Sequence, residues 1–282
     1  MQPAQYCRDA AAPAGSTFYY GTLFQPPAGR RALFALFALL VEVDAAQRNV
    51  QDRAMAHLRL HWWMEEIGRL SSAQTNHPVS LEVRELLRAD PGLAEDLHAF
   101  ISAATALQDG EPPLTYAHWI GQLTKAHGRI WTIAARHVAN ADAADSARAA
   151  SVGALLAALE DVQHLPLSLR AGRCLLPARE LSEHGLSASD LGLAATRDRV
   201  SSYLGETLTR LRADLLEAER GLAATANASL LFAAVMARLG ATLCQELTED
   251  SALLLQRRTS LTPIRKLWIA WRTRLSWPRT GH

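Results

Sequence analysis

Cysteine is scarce in these 282 residues: Cys7, Cys174 and Cys244 form an odd, scattered set. They build neither a disulfide framework nor a zinc-ligand spacing, which suits a reducing compartment. Charge of one sign is lacking too. Twenty-nine Lys and Arg face 28 Asp and Glu, so the net charge is +1 and no global field recruits nucleic acid. Long apolar runs are missing: the longest, 32–43, falls short of the about 20 residues that span a bilayer. The first residues lack the basic-then-apolar pattern of a signal peptide. There is no Gly-rich phosphate loop, no nucleophile elbow and no paired-cysteine motif. Strand-like alternation is absent, and nothing repeats at a fixed period.

What is there is helical periodicity. Hydrophobic residues make up 49% and charged ones 20%, ordinary for a soluble globule. A compact chain of this length hides roughly 75% of its unfolded surface, so its core needs no staples. No shift in composition marks a second domain. The expectation is one all-α domain over 16–255, with residues 1–15 loose and 256–282 a basic tail. Spacing predicts helices over 30–52, 54–70, 79–88, 91–107, 115–140, 197–225 and 229–249. On the first of these Leu33, Phe37, Leu40, Asp44 and Arg48 share a face, so Asp44 points where its apolar neighbours point. An Asp44–Arg48 pair at the helix end and a ligand-binding role are both open to it. Trp62 and Trp63 are expected in the core.

The stretch 151–181 organises the rest. Val152, Leu155, Leu156, Leu159 and Val162 make one apolar stripe, and Gly153, Ala154, Ala157 and Ala158 keep neighbouring faces small. The helix turns polar through Glu160, Asp161, Gln163 and His164 and is predicted to stop at Pro166. A basic loop with Arg170 and Arg173 follows. A buried helix that opens into acids, a histidine and arginines can hold a charged head group at the mouth of an apolar cavity. Glu160, Asp161 and His164 could also be half of a metal site, but no matching half is found. A histidine in a last turn is equally favoured by the helix dipole. Farther on, 263–277 interleaves Arg265, Lys266, Arg272 and Arg274 with Trp268, Trp271 and Trp277. That suits a lipid head-group layer, or a helix docked on the core with a solvated basic side.

Read in order, the chain carries STFYYGTLFQPPAGRRALFALFALL, LHWWMEEI, HPV, WIGQLTKAHG and GRCLLPARELSEHGLSASDL. This order resembles the squalene/phytoene synthase superfamily over roughly residues 15–250. The resemblance implies an all-α isoprenoid-synthase bundle around a central apolar cavity. It also implies the joining of two prenyl diphosphates head to head, with Mg²⁺ held by two Asp-rich helix motifs. Mg²⁺ is a hard cation that demands oxygen ligands, and aspartates four apart share one helix face.

The sequence departs from that pattern where the metal would sit. The first motif's acids match Asp44, Ala45 and Arg48; the second's match His164 and Ser168. Ala157 and Glu160 replace an amide pair, Val41 an arginine, Trp119 a pocket tyrosine and Lys125 a small pocket glycine. By this resemblance the catalytic positions are Asp44 and His164. The substrate-binding set is Phe18, Phe37, Leu40, Trp119, Lys125, Arg129, Glu160, Asp161, Arg170 and Arg173, with no metal ligands and no cofactor expected. The implied function is an isoprenoid- or lipid-binding accessory protein that has lost Mg²⁺-dependent coupling. It is similar in this respect to the mitochondrial complex I assembly factors, so a protein partner is open to it. The alternative is an active head-to-head prenyltransferase in which Lys125, Arg129, Arg170 and Arg173 neutralise diphosphate; Mg²⁺ belongs only to that alternative. A cytoplasmic location is expected, with peripheral contact at the inner face of a membrane through the tail.

Overall fold

A computed structural model describes residues 1–48, 53–72, 74–225, 227–249, 254 and 259–278. Among them run fourteen α-helices and no strand. They are α1 (Pro3–Ala11), α2 (Thr17–Gly21), α3 (Pro27–Arg48), α4 (Arg53–Gly68), α5 (Pro78–Leu87), α6 (Leu93–Asp109) and α7 (Tyr116–Lys125). Then come α8 (His127–Ala139), α9 (Ala143–Gln163), α10 (Leu165–Arg170), α11 (Ala178–Glu183), α12 (Arg197–Ala223), α13 (Leu231–Glu249) and α14 (Pro263–Ser276). Helix starts follow local chemistry. Ser16, Thr115, Asp142 and Thr262 each accept a backbone N–H from three residues on, and so open α2, α7, α9 and α14.

The core is one continuous apolar cluster with α9 in its midst: Val152, Ala154, Ala158 and Val162 have no solvent contact. Helices α7 and α8 pack against α9, as do α12 and α13, and α3 packs on α8. A line of rings runs through the centre. Phe18 stacks on Phe37 at 4.2 Å, Phe37 meets Trp131 edge-on at 5.0 Å, and Trp131 stacks on Phe232 at 5.8 Å. Trp131 fits because position 153 is glycine; a Cβ there would lie 2.2 Å from its ring.

Five features differ from the sequence expectations. Residues 3–11, expected loose, form α1, because Cys7 and Ala11 are buried and the Tyr6 hydroxyl donates to Glu42. The long helix over 115–140 breaks at Ala126 (φ −93°, ψ −88°) into α7 and α8. No proline marks that break; α8 is drawn against α9, where a Cβ on Gly128 would come within 2.9 Å of the Ala150 carbonyl. Pro166 begins α10 rather than leaving a loop, since a ring at the second helical position forfeits no intrahelical N–H bond. Trp63 is buried but Trp62 is 41% exposed, as neighbours on a helix face different ways. Finally, 228–249 is long and apolar enough to cross a membrane, although 67% of that window is buried inside the fold. Positions 49–52, the expected end of the first long helix, lie outside the described residues, as does the Arg48 side chain.

Candidate functional site

Helices α6, α7, α8, α9 and α10 converge at one end of the bundle and enclose a cavity of about 310 Å³. Volumes of roughly 300–1,000 Å³ are usual for small-molecule sites, so this one is at the small end. The walls are Leu107, Trp119, Leu123, Leu167 and Leu175 on the apolar side. Gln47, Arg53, Gln108, Gln122, His127, Asp161, His164, Ser168 and Arg173 supply the polar side. Backbone ties the rim segment to α11: Ala178 N–H donates to Pro113 O and Arg179 N–H to Leu114 O, both at 2.9 Å.

The turn after α10 is what brings Arg173 to this rim. Gly172 takes φ +70°, the left-handed region, and closes the helix end. Its N–H donates to Leu169 O at 3.0 Å and that of Arg173 to Ser168 O at 2.9 Å, a Schellman arrangement. Arg173 Nη1 then donates to Gln108 Oε1 at 2.8 Å. The neighbouring Cys174 also lines the cavity; burial raises its thiol pKa, so it stays protonated.

Two acids at the site, Asp44 and Asp161, are engaged, while Glu111 lines the cavity from its exposed edge. Asp44 leans from α3 toward the first residue of α8, with Oδ1 3.0 Å from His127 Nε2, and both side chains are largely buried. Asp161, in the last turn of α9, accepts the Trp119 indole N–H at 3.2 Å. His164 ends α9 with Nδ1 2.9 Å from the Glu160 carbonyl, which assigns its ring proton to that nitrogen. Among the described residues no three His, Cys, Asp or Glu side chains gather where an ion could be held.

Of the residues singled out from sequence, Trp119, Asp161, His164 and Arg173 meet at this cavity, and Asp44 reaches it through His127. Phe18 and Phe37 are packed in the central ring stack, and Leu40 packs against the core. Lys125 ends α7 exposed, and Arg170 ends α10 exposed. Arg129 turns to Asp96 on α6, at 3.3 Å. None of these six lines the cavity, nor does Glu160. Sequence reasoning missed His127, Gln108, Gln122 and Arg53. The WIGQLTKAHG stretch drew attention to α7, but nothing in the spacing marked His127 as the partner of an acid 83 positions away.

A helical bundle carrying a small cavity with a polar, arginine-bearing mouth defines the class: an all-α protein of isoprenoid-synthase fold. The chain belongs to the squalene/phytoene synthase family, whose model matches residues 11–265. It is similar to the chloroplastic phytoene synthase of Narcissus pseudonarcissus, 24% identical over 237 residues, which are 79% of this chain and 54% of that protein. It is also similar to chloroplastic phytoene synthase 1 of Solanum lycopersicum, 23% identical over 238 residues, 79% of this chain and 56% of that one. The chain thus spans about half the length of the curated relatives it matches. Among solved structures, a squalene synthase of Alicyclobacillus acidocaldarius superposes with TM-score 0.68 at 16% identity, covering 92% of this chain and 95% of that one. A dehydrosqualene synthase in complex with ligand gives 0.75 at 11% identity, covering 97% and 95%. At such identities the structures establish the fold.

Proposed function

We propose that this chain is a squalene/phytoene synthase relative that binds one prenyl diphosphate, or a like amphipathic isoprenoid, and does not join two of them. The observation that carries this reading is the engagement of Asp44 and Asp161. Asp44 faces His127, and Asp161 holds the Trp119 N–H. An octahedral Mg²⁺ cluster needs converging carboxylate oxygens, and the donor set among the described residues does not fit one. Arg173, Arg53, His164 and Gln108 can instead meet a diphosphate with guanidinium, imidazole and amide groups. The cavity's small volume suits one ligand better than two. The role that follows is an accessory one: holding an isoprenoid at the cytoplasmic face of a membrane, or presenting it to a protein partner.

Isothermal titration with farnesyl diphosphate tests this, with Mg²⁺ and again with EDTA. Binding is expected in both, weakened about tenfold or more by Arg173→Ala, the scale of a lost charged hydrogen bond. Incubation with labelled farnesyl or geranylgeranyl diphosphate should release no pyrophosphate. Binding that appears only with Mg²⁺ would overturn the metal-free reading, and a hydrocarbon product would establish the coupling enzyme instead.

A further inference from the structure

Charge is unevenly spread along this chain. Residues 251–282 hold seven of the 29 Lys and Arg and none of the 28 Asp and Glu, leaving 22 bases against 28 acids elsewhere. Within that segment α14 is seated by one face. Ala270 and Thr273 are buried, Lys266 Nζ donates to Gly15 O at 3.0 Å, and Trp277 donates its indole N–H to Ala228 O at 3.2 Å. These contacts fix the helix against α13 and α2.

The other face is apolar and open. Ile264, Leu267, Trp268, Trp271 and Leu275 fall at helical spacing. They are five of the fourteen large apolar side chains left exposed among the described residues. Trp268 and Trp271 lie 5.2 Å apart, 52% and 44% exposed, and the Arg272 guanidinium sits 5.8 Å over the Trp268 ring. A groove of about 550 Å³ runs beside them, bounded by Trp268, Leu275, Arg272 and the Arg238–Glu219 ion pair.

Paired indoles, aliphatic tips and guanidiniums on one helix, with no acid, match the boundary between phosphate head groups and acyl chains. A second copy of the chain would bring the same cationic face against this one, and like charges oppose that pairing. We infer that α14 docks the protein on an anionic phospholipid bilayer. The helix lies in the interfacial plane with Trp268 and Trp271 inserted and Arg272 at the phosphates, while Arg274 stays over the Phe24 ring at 4.7 Å. The inference stands apart from what fills the cavity.

Co-sedimentation of the full chain tests it, with phosphatidylcholine vesicles lacking or containing phosphatidylglycerol, at low and high salt. Binding is expected to the anionic vesicles and to fall with salt. Trp268→Ser with Trp271→Ser, and separately Arg272→Glu, should each weaken it about tenfold or more with the helical circular dichroism retained. Either variant binding like the parent overturns the inference, as does a parent that ignores anionic vesicles or binds neutral ones equally. Light scattering on the same samples covers the rival occupant: a dimer dispersed by the double substitution, with no vesicle binding, makes this an interface between copies and overturns it too.

Discussion

At the scale of single residues, the Trp119–Asp161 bond is the contact on which the site's geometry turns. Both partners are buried, and a buried carboxylate that loses a donor bears the cost of its desolvation. Trp119→Phe should therefore destabilise the fold by about 1–3 kcal/mol. Asp161→Asn, which keeps an oxygen to accept the indole N–H, should cost clearly less. Urea denaturation of the two variants measures this, and a Phe variant as stable as the parent would show the bond to be energetically idle. The same residues show how far the site was legible. Asp44 stood out because it shares a helix face with apolar neighbours, and Asp161 and His164 because a buried helix turns polar at its last turn. Arg129 was expected to help neutralise a diphosphate, yet Asp96 of α6 captures it, and no local pattern reveals a partner 33 positions away. His127 escaped notice for the matching reason: a helix break and a tertiary contact bring it to Asp44.

At the scale of elements, two glycines position the site. Gly153 admits Trp131 into the α8–α9 crossing, and Gly172 takes the left-handed turn that returns Arg173 to the rim. Gly153→Ala would gain up to about 1 kcal/mol of helix propensity. Its methyl must nevertheless displace an indole wedged between Phe37 and Phe232, so a net loss of about 1–3 kcal/mol is expected. Gly172→Ala meets no neighbouring atom within 4 Å; its cost is the left-handed backbone alone, about 1–2 kcal/mol. It should also weaken diphosphate binding, because Arg173 depends on that turn. Thermal unfolding with titration of the same protein separates the two effects: Gly153→Ala should shift stability first, Gly172→Ala affinity as well. Helices were legible as elements because amphipathic spacing survives any tertiary context. Their breaks were not. Ala126 carries no local signal, and the proline at 166 reads equally as a stop or as the second residue of a new helix.

At the scale of the whole molecule, pH dependence follows from imidazoles closed into the fold. Burial lowers the pKa of His137, an effect only partly offset by Asp90 at 3.4 Å. Burial also lowers that of His77, whose ring lies against Tyr6, Trp62 and Trp63, with Glu42 and Glu66 opposing the shift. The unfolded chain thus takes up protons at these two positions sooner than the folded one does. Their contribution is fully present above the ordinary histidine value of about 6.5 and is lost as pH falls from there through the lowered folded values. His184 runs the other way, raised by its bonds to the Glu180 carbonyl and Glu206, but it is only half-buried and Glu206 is exposed, so screening discounts it. The urea midpoint should accordingly fall between pH 7.5 and 5.5. Replacing His77 by Asn, which still offers an N-cap acceptor to α5, together with His137→Gln, should make that fall shallower. A double variant with the parent's slope would assign the loss to the carboxylates, and the core around these two rings would then tolerate a charged imidazole without cost.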